Sequence, residues 1–316
     1  MTTGVRIPAR SVEDAARSVE IADDLRTATV AGRDIEADNP RELQRLLALG
    51  IYEVLHAGLP VEPTPVPWRT RDARFEQELA GWVPHRTTRA SGLVRAEPEA
   101  DDTRVLLERE GVRVWTPRER ISAPGPLVEG ARVVLDVPAA RPALSPGFFL
   151  VDGSRQASGG GAVLRVYVHL VDADRAGEVW GRALEFLEER QAHYRAKVLS
   201  VRRLYPRRDG LVVYLRKGSW ELAGPLADAL SGAPGLGAGV SAFARPLADG
   251  VAVAWEPSDS RSGMRGLSFG QHRAGVLAQA LIEHRKDGGS LADVIVDRFT
   301  EAGIDPDDPS ANITAP

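Results

Sequence analysis

The 316 residues, 43% hydrophobic and 27% charged, suffice for one large domain or two ordinary ones with buried cores. A formal charge of −4 supplies no global positive field, which argues against nucleic acid and membranes as partners. The lack of cysteine excludes disulfides, thiolate nucleophiles and sulfur-ligated metals. Residues 1–10 have no apolar stretch of signal length and no run approaches a membrane span, so a cytoplasmic protein is expected.

In chain order, Asn39-Pro40 predicts a helix start, followed by Leu43, Leu46, Leu47, Ile51 and Leu55 at helical spacing. Pro60, Pro63, Pro65 and Pro67 interrupt regular structure, a short helix follows around Phe75, Leu79 and Trp82, and His85 to Arg95 reads as an arginine-rich loop. The first third therefore reads as helices joined by loops. From Thr103 the period becomes strand-like: Val105 and Leu107, a turn at Glu110-Gly111, then Val112 and Val114. Further strands are expected over Ala131–Val137, Phe148–Val151 and Ala162–Val171, then an amphipathic helix from Ala173 to Arg190. Strands return at Lys197–Val201, Leu211–Arg216 and Val251–Trp255, with a glycine-rich loop over Gly232–Gly239. Two closing helices start at Ser268 and Ser290, with Gln271 and Asp293 at capping-box spacing. The order implies an α+β fold: a helical N-terminal region, residues 1–97, then an α+β domain, 98–316, with a mixed or antiparallel sheet and C-terminal helices.

Three familiar motifs fail on context. Gly266-Leu-Ser268-Phe-Gly270 has the spacing of a hydrolase nucleophile elbow. Polar Ser258–Arg265 is no buried strand, however, and no aspartate separates Ser268 from the last histidine, His284. A helix N-cap is the better reading of Ser268. Gly159-Gly160-Gly161 lacks the Gly-Lys-Ser/Thr ending of a phosphate loop, and Gly235-Leu-Gly237-Ala-Gly239 follows a loop rather than a strand. The histidines are scattered, so neither metal nor cofactor is expected.

One constellation survives. Arg165, Tyr167 and His169 alternate with Val166, Val168 and Leu170, so a strand here presents them on one face, which floors a polar cleft or merely faces water. Lys197 to Asp209 adds Arg202, Arg203, Tyr205, Arg207 and Arg208. A dianionic phosphate would relieve that crowding of cations through paired guanidinium hydrogen bonds, and neutralisation by Asp209 and nearby acids would do so too. Tyr214 and Arg216 share a face of the next strand. Arg273 sits in the first turns of the Ser268 helix, beside N–H groups that favour an anion.

These segments resemble the HopA-type effector family. Gly147-Phe-Phe-Leu-Val-Asp152, Arg165-Val-Tyr-Val-His-Leu170, Lys197-Val-Leu, Tyr205-Pro-Arg-Arg-Asp209 through Tyr214, and Ser268-Phe-Gly-Gln-His-Arg273 occur in that order in the family. Ala244-Arg-Pro246, Gly250-Val-Ala252 and Gly303-Ile-Asp-Pro306 fit as well, and the likeness is strongest over residues 145–306. The resemblance implies a phosphoserine/phosphothreonine lyase. Its substrate would be a precursor peptide phosphorylated by a separate kinase-like partner, and elimination would leave dehydroalanine or dehydrobutyrine, as in lanthipeptide-type biosynthesis. By the same resemblance Lys197 takes the α-proton, His169 and Tyr214 assist, Arg165, Arg207, Arg208 and Arg273 hold phosphate, and Tyr167, Tyr205 and Arg216 line the substrate. The alternative is a noncatalytic phosphopeptide-binding partner that recruits or activates the kinase.

Overall fold

The computed structural model describes residues 10–60, 71–96, 98, 103–155 and 160–314; the expectations for residues 1–9, for Pro63, Pro65 and Pro67, and for Gly159 lie outside them. Among the described residues are seven helices and 14 strands in three antiparallel sheets, an α+β architecture. No helix among them is long and apolar enough to cross a membrane.

Helix α1 (Arg10–Arg17) leads into a meander of β1 (Val19–Ile21), β2 (Thr27–Val30) and β3 (Arg33–Glu36). This corrects the all-helical reading of the first third: strands of three or four residues are too short for alternation to stand out. The β2–β3 hairpin turns on Ala31 and Gly32, both at positive φ, as a two-residue turn between right-twisted strands requires. Helix α2 (Pro40–Ile51) starts where predicted, the Asn39 side chain accepting from the Glu42 N–H at 3.0 Å. It buries Leu43, Leu47 and Ile51 and continues into a π-turn over Tyr52–His56.

After α3 (Ala73–Gly81) comes a five-stranded sheet of β4 (Thr87–Val94), β5 (Arg104–Arg109), β6 (Val112–Pro117), β7 (Ile121–Ser122) and β8 (Arg132–Pro138), ordered β6-β5-β4-β8-β7. Strand β4 occupies the stretch read as an arginine-rich loop. Its buried residues Thr88, Ala90, Gly92 and Val94 are small, which hid the period. Because β4 pairs with β5 and β8, this sheet runs across residue 97.

The third sheet positions the site. It contains β9 (Phe148–Asp152), β10 (Leu164–Leu170), β11 (Tyr194–Leu199), β12 (Arg207–Leu215), β13 (Arg245–Ala248) and β14 (Val251–Trp255), ordered β13-β14-β10-β12-β11-β9. On one face Val166, Val168, Val198 and Val213 join a core with Trp180 and Leu184 of α4 (Ala176–Glu189) and Leu226 of α5 (Ala223–Leu230). Each such fully buried aliphatic side chain contributes about 2 kcal/mol. On the other face Tyr167, Val212, Ala252 and Ala254 meet Leu47 of α2, Phe269 and Leu277 of α6 (Phe269–Asp287), and Phe299 of α7 (Leu291–Glu301). Helix α6 starts with the full Ser268–Gln271 capping box, so Ser268 is an N-cap. At Ser290 the side chain accepts from the Asp293 N–H at 3.4 Å.

Candidate functional site

Strand β11 starts at Tyr194 and β12 at Arg207, so the supposed basic loop is half strand, and Lys197 lies in mid-strand rather than at a strand start. Antiparallel register then builds two rows on the face shared with α2 and α6. Asp152, Arg195, Tyr214, Arg165 and Ala254 stand side by side across five strands; Leu150, Lys197, Val212, Tyr167 and Ala252 form the next row.

In these rows the half-buried Lys197 Nζ stands 4.2 Å from the Phe148 ring centroid and 5.9 Å from that of Tyr214. The Arg165 guanidinium lies 5.0 Å from the Tyr214 centroid on the same ring. Arg165 is buried, donating to Glu256 at 2.5 Å and to the Tyr167 hydroxyl at 3.4 Å. Arg195 is half-exposed and donates from Nε to Asp152 at 2.6 Å. Among the described residues no carboxylate lies within ion-pair distance of Lys197. Lys197, Lys217 and Lys286 are the only lysines among 40 basic residues, and the other two are exposed.

A second group adjoins the rows. Arg207 grips Asp209 through two hydrogen bonds of 2.7 and 2.9 Å and donates to the Tyr52 hydroxyl at 2.9 Å. The register of β12 shifts opposite Val168–Leu170, and this irregularity turns Asp209 to the α2 side. Burial by itself would raise the Asp209 carboxyl, but the charge and hydrogen bonds of Arg207 hold it at about 2. Beneath lies His56, fully enclosed, its Nδ1 2.7 Å from Ser241 Oγ and its ring edge-on to Tyr167 at 5.3 Å. Burial pushes the imidazole down to about 4, so it is neutral at physiological pH.

These two shifts fix a pH dependence. Both folded values are depressed, so both groups stabilise the fold at neutral pH. The His56 contribution, about 3 kcal/mol for the drop from 6.5, is lost as pH falls from 6.5 to about 4. The Asp209 contribution, about 2 kcal/mol for the drop from 3.8, is lost as pH falls from 3.8 to about 2. Urea unfolding of His56→Gln should therefore lose the pH slope between 6 and 4 that the parent shows; an unchanged slope would remove His56 from this role.

The remaining predicted residues sit apart from the two rows. His169 bonds through Nδ1 to the Gly239 carbonyl at 2.9 Å; a Cβ at Gly237 would meet its ring at 2.4 Å, so glycine there permits the contact. Burial, with Arg208 nearby, lowers its basicity. Arg208 donates to the Leu55 carbonyl at 3.2 Å, tying β12 to the end of the π-turn. Tyr205 points to the opposite side of the sheet, donating to the Leu199 carbonyl at 2.7 Å and packing on Phe75. Arg216 lies at the end of β12 with its Nε buried and without a hydrogen-bond partner. Arg202 pairs with Glu78 and Asp174, so acids of this chain relieve the arginine crowding.

Arg273 is fully buried and bonded within the chain, so it is not placed to clamp an anion at the start of α6 as expected. It donates to the carbonyls of Pro309 at 2.8 Å and Ala311 at 3.0 Å, to Asn312 Oδ1 at 3.0 Å, and lies 2.8 Å from His272 Nδ1. This guanidinium staples the C-terminal segment onto α6. Sequence reasoning missed Arg195, Tyr52 and His56 as neighbours of the site, while Asp209, read as one acid that neutralises the arginine cluster, does pair with Arg207. Arg195 was within reach, because Tyr194, Ala196 and Val198 continue the alternation backward from Lys197.

No curated protein gives a significant match. The solved effector protein from Pseudomonas syringae pv. tomato strain DC3000 is 14% identical, with a TM-score of 0.48 over 84% of this chain and 90% of that one. That from Pseudomonas syringae pv. syringae strain 61 is 16% identical, with a TM-score of 0.49 over 86% and 92%. Residues 139–311, more than half of the sequence and the whole of the third sheet with α4 to α7, match the HopA1 effector protein family, and the chain belongs to that family.

Proposed function

We propose that this protein β-eliminates phosphate from phosphoserine or phosphothreonine in a peptide phosphorylated by a separate kinase. The observation that carries the reading is Lys197: in a chain with three lysines among 40 basic residues, this one amine stands in mid-sheet beside the row that holds Arg165 and Arg195, without a carboxylate partner among the described residues. An amine can shed its proton and act as a base, which a guanidinium cannot.

In the reaction, the neutral Lys197 amine takes the α-proton. The C–H electron pair becomes the Cα=Cβ bond as the Cβ–O bond breaks, and phosphate leaves with that bond's electrons. Arg165 and Arg195 hold the phosphate oxygens, and Tyr214 between them orients the group. Phosphate has a second pKa of about 6, so it departs as an anion without a strong general acid, and His169 need only tune the adjoining charge. The tight Arg207–Asp209–Tyr52 group is a rigid wall beside the amine. The resemblance to peptide-maturation lyases supports a ribosomal precursor of lanthipeptide type as substrate, and co-elution with the pathway kinase is the check on that partner.

Incubation with a phosphothreonine peptide followed by a thiol probe tests the reaction. A thiol adduct on a product lacking phosphoric acid is expected. Binding without any mass change would instead favour the phosphopeptide-binding alternative.

A further inference from the structure

A cavity of about 570 Å³ opens between α2 and the chain entering α6, away from the Lys197 rows. Its walls include Leu49, Met264 and Leu267, with Arg41 and Arg45 on the rim and the Tyr52 ring at one side. Leu49 is 45% exposed on a helix whose Leu43 and Leu47 are fully buried, so its side chain stands open at the groove rather than packed in the core. The charged residues lining the cavity are both arginines; no carboxylate lines it. The nearest acid recorded on Arg45 is Glu42 at 3.7 Å, a loose pair on the exposed surface. Tyr52 faces this groove with its ring while its hydroxyl accepts from Arg207, so one side chain borders both the groove and the wall of the proposed catalytic rows.

We infer that this groove docks a segment of the substrate peptide distant from the phosphorylated residue, one carrying leucine-sized side chains flanked by Asp or Glu. The inference rests on the lyase reading for the identity of the peptide, and on the groove for its chemistry. Apolar side chains enter beside Leu49, Met264 and Leu267, where flexible methionine adapts to them, and flanking carboxylates pair with Arg41 and Arg45. Such remote binding holds the peptide while successive phosphorylated residues reach Lys197.

The probe is a fluorescent peptide of leucine and glutamate, compared by anisotropy with its lysine-for-glutamate counterpart. The intact protein should prefer the glutamate peptide, and added salt should weaken that preference. Arg41→Glu/Arg45→Glu changes two exposed helix positions and should weaken the glutamate peptide about tenfold while strengthening the lysine peptide. The gain for the lysine peptide excludes misfolding as the cause. Equal affinities in parent and double variant would overturn the groove. A phosphothreonine peptide that also carries the leucine and glutamate segment is assayed for elimination on the same proteins. If the parent fails to eliminate it, the lyase reading falls whatever the anisotropy gives; if elimination proceeds and the affinities do not move, the groove alone falls.

Discussion

Lys197→Ala is expected to fold and to bind phosphopeptide normally while elimination falls by about 10²-fold or more, the usual contribution of a positioned base. The side chain is half-buried rather than enclosed, and it belongs to neither of the two cores that the sheet's faces carry, so its loss opens no internal cavity. Lys197→Arg is the sharper variant. It keeps the positive charge and the stacking on Phe148 and Tyr214, yet a guanidinium stays protonated at any working pH and cannot accept the α-proton. If Lys197 only balanced Asp209 electrostatically, arginine would serve as well; wild-type turnover in Lys197→Arg would thus end the assignment.

Arg273→Ala should cause the largest loss of stability, about 3 kcal/mol or more, read as a lowered urea midpoint. Its guanidinium satisfies two carbonyls and Asn312 in a fully buried setting, and truncation leaves those acceptors without donors while opening a cavity against Phe269. Lysine should not rescue, because one ammonium cannot span the acceptors that the planar fork reaches. A variant of parental stability with weakened phosphopeptide binding would instead return Arg273 to an anion-binding role.

What could be read from the sequence was local. The alternation of Arg165, Tyr167 and His169, the Asn39-Pro40 start and the Ser268 cap each depend on residues within a few positions, and each stands as read. What could not be read depended on register and distance. Lys197 is brought beside Tyr214 and Arg165 only because β12 lies between β10 and β11. Tyr52 reaches Asp209 across 157 residues, and only a shift in the β12 ladder aims the carboxylate at it. Arg273 read as an anion-binding residue at the start of α6 because its true acceptors lie in a polar C-terminal segment with no periodic signal of its own. The short meander and the small-residue strand β4 escaped for a third reason: strands built from three or four residues, or from alanine and glycine, leave little hydrophobic contrast to detect.

The central claim, removal of the α-proton coupled to departure of phosphate, is tested most directly with a phosphothreonine peptide carrying deuterium at Cα. After incubation, mass spectrometry should find a product that has lost both phosphate and the deuteron, with a slower rate than for the protiated peptide when proton removal limits turnover. A product that has lost phosphate but retains the deuteron and regains a hydroxyl would mean hydrolysis, and would contradict the assignment of Lys197 as a base and of the protein as a lyase.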